Sequence, residues 1–316
     1  MAKKYKFKRP DLRVKGKLLF DNTKISDIGK GFTLVLCFSR AWCVKPFFDA
    51  FQKLQFDKQN CHLLVFDNTD NKLLEDLLLP LSESLAKDFL SVRYYKSYRQ
   101  GGYVFRFEKN DNFLKSKIYP IAQMQFDIAD LVTTKTFAQL EDDEIPTNPK
   151  TITRLLELLK KPKVGIATGV SSARSPELKK VGMGVHKVVE VDGYRIVKRV
   201  SFSPNTKGIK EAQATGFYCF ATYLDLWHSA LMHVKKTKSR LPHWGFDTYV
   251  TNWIYRQGYK ILADFSLWCD HIQVVGGKIY AFNKKDAVAE AYVYVPELKA
   301  YARCPEKEEP IDALNF

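Results

Sequence analysis

Thr136-Phe137-Ala138-Gln139-Leu140-Glu141-Asp142-Asp143-Glu144 is a largely apolar run that ends in four consecutive acids. Read as a strand, it carries its carboxylates to one end, where they crowd and repel one another. A divalent cation relieves that repulsion, and such a cation often also holds a phosphate. The run therefore marks a candidate metal and phosphate site at a strand end. The plainer alternative is an acidic cluster that solvates a turn ahead of Pro146.

Upstream, Phe32-Thr33-Leu34-Val35-Leu36-Cys37-Phe38 is a nearly continuous apolar run, the pattern of a strand buried on both faces. A helix is expected over 44–54, with Phe47, Phe48, Phe51 and Leu54 on one side. His62-Leu63-Leu64-Val65-Phe66 is a second buried strand, stopping at Asp67-Asn68-Thr69-Asp70-Asn71, and helices are expected over 72–79 and 112–130. Strands alternating with helices predict a parallel α/β sheet, whose ligands bind at the carboxyl ends of the strands. The Asp67 tip and the Glu141 tip then fall on the same edge of that sheet.

Downstream, Pro149 opens a helix that runs to Leu159, and 164–169 is the next strand. Asp192-Gly193 between two β-rich runs predicts a hairpin over 185–202, read as a small antiparallel insertion. An apolar helix is expected over 216–232 and another from Trp244-Gly245-Phe246-Asp247 to Arg256, stopped by Gly258. Strand 259–264 then leads into a second apolar run that ends at Asp270-His271. The organisation expected is a basic arm over 1–30, one catalytic-sized domain over 31–275 and an extension over 276–316.

At 316 residues, 46% hydrophobic, the chain is long and apolar enough for a sizeable core. The six cysteines are scattered, with no pair at the spacing of zinc knuckles or redox motifs, and no stretch approaches the length of a membrane span. A cytoplasmic protein with no transmembrane segment is expected. The net charge of +15 favours polyanionic partners, nucleic acid or an anionic membrane surface. Cations cluster in residues 1–30, at Arg93, Lys96 and Arg99 beside Tyr94, Tyr95 and Tyr98, over 179–210, and at Lys235, Lys236, Lys238 and Arg240. Aromatic rings between cations suit stacking on bases; solvated faces of a basic protein are the alternative.

The order of these motifs over residues 32–272 resembles the nucleotide-sugar glycosyltransferases of the GT-A fold, most closely the large family 2. The resemblance implies a Rossmann-like, mixed and mostly parallel sheet flanked by helices, and transfer of a sugar from a nucleotide donor, most naturally a UDP-sugar, to a hydroxyl acceptor with Mn2+ or Mg2+. Residue by residue, it places Asp67 on the nucleoside with Asn68 and Thr69 beside it, and Ser39 and Arg40 at the end of the first strand. Asp143 matches the metal-binding acid of the Asp-x-Asp motif. Glu141 stands where that motif has its first acid and is assigned to the donor with Asp142, while Glu144 falls outside the motif.

By the same resemblance His271 completes the metal shell, Asp247 is the general base of an inverting transfer, and Trp244 stacks on a sugar. The basic composition makes a hydroxymethylated base in DNA an attractive acceptor, one that would have to leave the helical stack. A polysaccharide, glycolipid or protein acceptor is the alternative. Two rivals come from other classes: a non-enzymatic basic nucleic-acid-binding protein, and a metal-dependent nuclease or nucleotidyltransferase.

Overall fold

In a computed structural model, residues 16–69, 72–97, 121, 124–171, 184–192, 195–202, 205–236, 246–275, 278–282, 292–295 and 300–303 are described. The expected strands form where the apolar runs lie. β1 (Gly16–Asp21), β2 (Phe32–Phe38), β3 (Cys61–Asp67), β4 (Ser91–Ser97) and β5 (Thr136–Glu141) are followed by the short β6 (Glu144–Pro146) and by β7 (Val164–Ser171). β8 (Val185–Asp192), β9 (Arg195–Ser201), β10 (Ile209–Ala212), β11 (Ala214–Thr215), β12 (Cys219–Tyr223), β13 (Lys260–Val275) and β14 (Lys278–Phe282) come next. β15 (Tyr292–Val295) and β16 (Ala300–Arg303) pair with each other.

Among the described residues the main sheet has eleven strands, in the order β1-β4-β3-β2-β5-β12-β7-β13-β10, with β6 and β14 added on β13. β2, β3, β4 and β5 are mutually parallel neighbours, and β7 and β13 are parallel to each other and, across antiparallel β12, to β5. The mixed, mostly parallel α/β sheet expected from the sequence is therefore present. The expected hairpin β8–β9 stands beside it, joined by β11 into a separate three-stranded antiparallel sheet.

Every residue of β2 and β3 is buried, and successive side chains enter opposite layers. Leu34, Leu36, Leu63 and Val65 meet α1 (Val44–Phe51), α2 (Lys72–Leu85) and α4 (Thr151–Leu159) through Phe47, Phe51, Leu74, Leu78, Ile152 and Leu155. Val35, Cys37, Leu64 and Phe66 face the layer built by α3 (124–131), α5 (Leu224–Lys236) and α6 (Phe246–Arg256), where Trp227 is fully buried. Truncating one such leucine to alanine costs about 2–5 kcal/mol. Gly258, at φ +88°, takes the left-handed conformation that ends α6.

Three readings of the sequence are corrected. The helix expected over 216–232 begins only at Leu224, and Cys219–Tyr223 is β12, in the middle of the main sheet. A strand buried on both faces has no alternation, so its apolar run cannot be told from a buried helix by period. The Arg93–Lys96 cluster is not a surface platform, because all of β4 is buried, with Tyr94 at 0% and Tyr95 at 2% exposure. Asp264 and His271 belong to one 16-residue strand, β13, whose register against β7 shifts between Ala263 and Trp268. The sheet also takes in β1, which pairs with β4, and β14, which pairs with β13.

No helix among the described residues is long and apolar enough to cross a membrane. Residues 1–15, Asp70, Asn71, Tyr98, Arg99, Lys238, Arg240 and Trp244, all singled out from the sequence, lie outside the described residues.

Candidate metal and donor site

The register of the parallel strands levels their carboxyl ends. Phe38 is opposite Asp67, and Cys37 is opposite Glu141, so the two acidic tips and the start of the loop after β2 meet on one edge. The Asn68 N–H donates to the Phe38 carbonyl (2.9 Å) and the Asp142 N–H to the Cys37 carbonyl (2.9 Å), tying each tip to β2.

After Glu141 the chain turns through Asp142 and Asp143 and enters β6, which pairs antiparallel with β13 so that Glu144 is opposite His271. The Ile272 N–H donates to the Asp143 carbonyl (2.8 Å) and fixes that turn against β13. This pairing is what carries a histidine 128 residues along the chain to the acids.

Asp142 is 2% exposed and acts as a clasp. Its Oδ2 accepts the backbone N–H groups of Ser39 (2.7 Å) and Arg40 (2.8 Å), and its Oδ1 accepts from the Arg40 guanidinium. Its carboxylate thus turns toward the protein and holds the loop after β2. Asp143, at 1% exposure, shares its Oδ2 between Arg40 Nη1 and His271 Nε2, each at 3.3 Å. On the other side of the imidazole, His271 Nδ1 lies 3.5 Å from Glu144 Oε1. Glu144 Oε2 accepts the hydroxyl of Ser171, the last residue of β7. Burial pushes the Glu144 carboxyl well above its ordinary range, opposed by that hydroxyl.

One ligand atom each from Asp143, Glu144 and His271 lie within 4.8 Å of one another, and all three residues are buried. Buried carboxylates need a compensating charge, and a set of carboxylates with an imidazole can hold a metal ion. The imidazole favours Mn2+ over Mg2+, which prefers oxygen ligands throughout.

Asp67 is fully buried and internally paired. Its Oδ1 accepts the Thr69 N–H (2.9 Å) and hydroxyl (2.8 Å), and its Oδ2 accepts from the Tyr94 hydroxyl (2.9 Å) and Lys96 Nζ (3.4 Å). Lys96 also reaches Glu75 of α2, at 3.0 Å. Burial raises the Asp67 pKa above its ordinary value, against the pull of these donors. Asp67 thus shapes the Asn68–Thr69 tip from beneath. Asn68 is 6% exposed, and Thr69, like Ser39, Arg40 and Glu141, is half-buried.

Asp247 lies near Gly216, just before β12, whose antiparallel pairing sets that end beside the carboxyl end of β5. It opens α6, and Thr251 of that helix accepts the Thr215 N–H at 3.0 Å, pinning α6 on β11. A Cβ on Gly216 would stand 2.7 Å from the Tyr218 ring and 3.1 Å from Asp247 Oδ2, so the missing side chain there admits both. Tyr218 in turn accepts the Glu141 N–H through its carbonyl (3.0 Å). Asp247 is half-buried.

Ser39, Arg40, Asp142, Asp143 and His271 thus form one contact cluster, with the Asp67–Thr69 tip beside it along the edge and Asp247 connected through residues 215–218. Glu144 and Ser171 were not singled out as site residues. The run of four acids contained the first, but a three-residue motif left it out; nothing local in the sequence ties Ser171 to it.

No protein-family model matches the sequence, and no curated protein matches it. Solved structures do match. One is a structure of GalNAc-T7 with UDP, GalNAc and Mn2+: the TM-score is 0.52 and the identity 14%, over 78% of this chain and 45% of that one. Another is the mannosyltransferase PcManGT from Pyrobaculum calidifontis in complex with GDP-Man and Mn2+, at TM-score 0.45 and 12% identity, over 76% and 56% of the two chains. This chain spans about half the length of each. The likeness to the first is one of fold, and the chain has the GT-A-type fold.

Proposed function

We propose that this protein is a metal-dependent glycosyltransferase that moves a sugar from a nucleotide-sugar donor, most naturally a UDP-sugar, to a hydroxyl acceptor. The observation that carries the proposal is the meeting of Asp143 and His271 at the carboxyl edge of a GT-A-type sheet, where ligands of such sheets bind. Asp143 and His271 would hold Mn2+, and the ion when bound would offset the charge that grows on the diphosphate leaving group.

The roles of the chain's own groups follow from where they stand. Asp142 spends its charge on Ser39 and Arg40 and keeps the loop after β2 against the acids; Arg40, next to that edge, supplies a cation for the donor phosphates. The Asn68–Thr69 tip, held by Asp67, forms the nucleoside end, and Glu141 meets the sugar or ribose. Asp247 takes the proton of the acceptor hydroxyl as its oxygen bonds to the anomeric carbon, while the bond from that carbon to the diphosphate breaks.

The acceptor is proposed on charge alone. A net charge of +15 suits a polyanion bearing a hydroxyl, with hydroxymethylated DNA to be tested first and a polysaccharide, glycolipid or protein behind it. The burial of Arg93, Tyr94, Tyr95 and Lys96 withdraws these residues from the cations and rings that suggested nucleic acid, so the proposed contact rests on the other cations.

The experiment is a thermal-shift panel of UDP, GDP and their sugars with Mn2+ and with chelator, followed by detection of sugar release and transfer. A ligand at 100 times its Kd adds about 2.7 kcal/mol. A Mn2+-dependent rise in Tm with one diphosphate, and sugar release that Asp247→Asn slows without loss of that rise, is the expected result. No shift with any diphosphate, together with salt-sensitive DNA binding indifferent to metal, would replace this reading with that of a nucleic-acid-binding protein.

A further inference from the structure

The Glu144 contact has no role in the proposed chemistry, yet it is built with care. Glu144 is 4% exposed, stands opposite His271 in the β6–β13 register, and is held from β7 by the Ser171 hydroxyl. Ser171 is itself fixed, because it is buried and stands opposite Cys269 on β13. Three strands therefore converge on one carboxylate.

An imidazole offers one ring nitrogen to a given ion, and the hydrogen bond made by the other nitrogen decides which tautomer it adopts. In His271 the two nitrogens face different carboxylates, Nε2 toward Asp143 Oδ2 at 3.3 Å and Nδ1 toward Glu144 Oε1 at 3.5 Å. An ion bound through Nε2 would take the nitrogen nearer Asp143 and leave Nδ1, the nitrogen nearer Glu144, to a hydrogen bond.

We propose that Glu144 is not a ligand of the ion but a positioning residue. It accepts the Nδ1–H of His271, selects the tautomer that presents the Nε2 lone pair toward Asp143, and is oriented for this by Ser171. This is the carboxylate–histidine–metal arrangement by which proteins fix a ligand ring and raise its basicity. The inference rests on the metal reading of the preceding subsection, which it deepens by dividing the three buried groups into two ligands and one support.

The test is Mn2+ affinity of the full chain, read from the EPR signal of free Mn2+, in the wild type and in Asp143→Ala, Glu144→Ala, Glu144→Gln and Ser171→Ala. A support predicts binding weakened about 10- to 100-fold in Glu144→Ala, a smaller loss in Glu144→Gln, which keeps an acceptor, and no detectable binding in Asp143→Ala. Nitrogen-15 spectra of the Cd2+-loaded protein add a readout of the ring itself: His271 carries its proton on Nδ1 in the wild type and shifts from that state in Glu144→Ala. Loss of Mn2+ in Glu144→Gln as complete as in Asp143→Ala would make Glu144 a ligand, and wild-type affinity in both Glu144 variants would leave it with no role; either overturns the proposal. If Glu144→Ala does not fold, Glu144→Gln and Ser171→Ala decide it by the same criteria. A wild type that binds no Mn2+ overturns the metal reading and this inference with it, and is told apart because the failure precedes any substitution.

Discussion

The two ends of β2, β3, β4 and β5 are both polar and both buried, yet they satisfy their polar groups in opposite ways. At the amino ends the hydrogen-bonded side-chain pairs are neutral, with the buried Arg93 of β4 as a cation nearby. The Thr33 and Thr134 hydroxyls share a hydrogen bond of 2.8 Å, His62 Nδ1 meets the Ser91 hydroxyl at 2.6 Å, and Thr23 reaches the same hydroxyl at 3.1 Å. At the carboxyl ends the partners are ionic: Asp67 with Lys96, Asp142 and Asp143 with Arg40, Asp143 with His271. Neutral buried pairs are cheap to desolvate and serve stability alone. Buried ions are costly and are rarely the most stable solution, so their concentration at one end fits the chemistry proposed there.

The sharpest way to break that contrast is to remove the acid at its centre. Asp143→Ala is expected to lower metal-dependent sugar release by about 10²–10³-fold, the scale of losing one electrostatic contributor to a developing charge, and to abolish the Mn2+-dependent rise in Tm. Circular dichroism should remain that of the wild type, because the core layers of β5 are untouched. A variant that keeps the Mn2+ response would show the carboxyl end to be structural like the other.

At the opposite end, Ser91→Ala leaves His62 Nδ1 buried without its hydroxyl, a loss of about 1–3 kcal/mol. Urea unfolding should show a lower midpoint with an unchanged slope, while the stabilisation added by UDP and Mn2+ stays as in the wild type. A change in ligand response would couple the two ends and erase the distinction.

Arg40 lies within the ionic end and sharpens the comparison there. Its guanidinium shares Asp143 Oδ2 with His271, so it occupies electrostatic space that a divalent ion needs. Arg40→Gln should tighten Mn2+ binding by up to about tenfold, or about 1.4 kcal/mol, and at the same time weaken UDP binding. Titration calorimetry of each ligand separately measures both. Weaker Mn2+ binding in this variant would mean that Arg40 supports the acid pair instead of competing at it.

How much of this was legible in the sequence follows from where each partner lies. β2 and β3 could be read because short, nearly continuous apolar runs (32–38 and 62–66) bounded by polar tips have few other uses, and the parallel register of β2 with β3 and β5 put Asp67 and Glu141 on one edge, as expected. β12 could not, since burial on both faces removes the period that separates strand from helix. β4 was misread because its cations look solvated until Lys96 is seen with Asp67 and Glu75, residues far from it along the chain. In the site, the acid run by itself marked a metal site, while Asp143 within it and His271 as its partner were picked out by the resemblance of motif order. The clasp made by Asp142 was hidden, because its partners include backbone N–H groups that carry no sequence signal. Glu144 was hidden by a motif boundary, although the antiparallel entry into β6 turns it toward the same histidine.

The smallest effect expected is in the response to acid, where the two ends should differ in sign. His62 is depressed below its ordinary value of 6.5, chiefly by burial and also by Arg93, against the pull of the Asp27 and Lys30 carbonyls. The unfolded chain then binds the extra proton first, so this residue's contribution to stability is intact above pH 6.5 and falls as pH drops through 6.5 toward the folded pKa. Asp67 is raised above 3.8, mainly by burial, so here the folded chain binds the proton first, and stability rises as pH falls through the folded pKa toward 3.8. Each slope stays under about 1.4 kcal/mol per pH unit, the ceiling for one proton. Urea midpoints of the wild type, His62→Gln and Asp67→Asn between pH 8 and pH 4 separate the two: His62→Gln should flatten the curve just below pH 6.5, and Asp67→Asn should remove the opposing rise nearer pH 4. Curves that move the same way in both variants would mean that the neutral end and the ionic end are not electrostatically distinct, and the division of the sheet into a stabilising edge and a chemical edge would rest on the metal response alone.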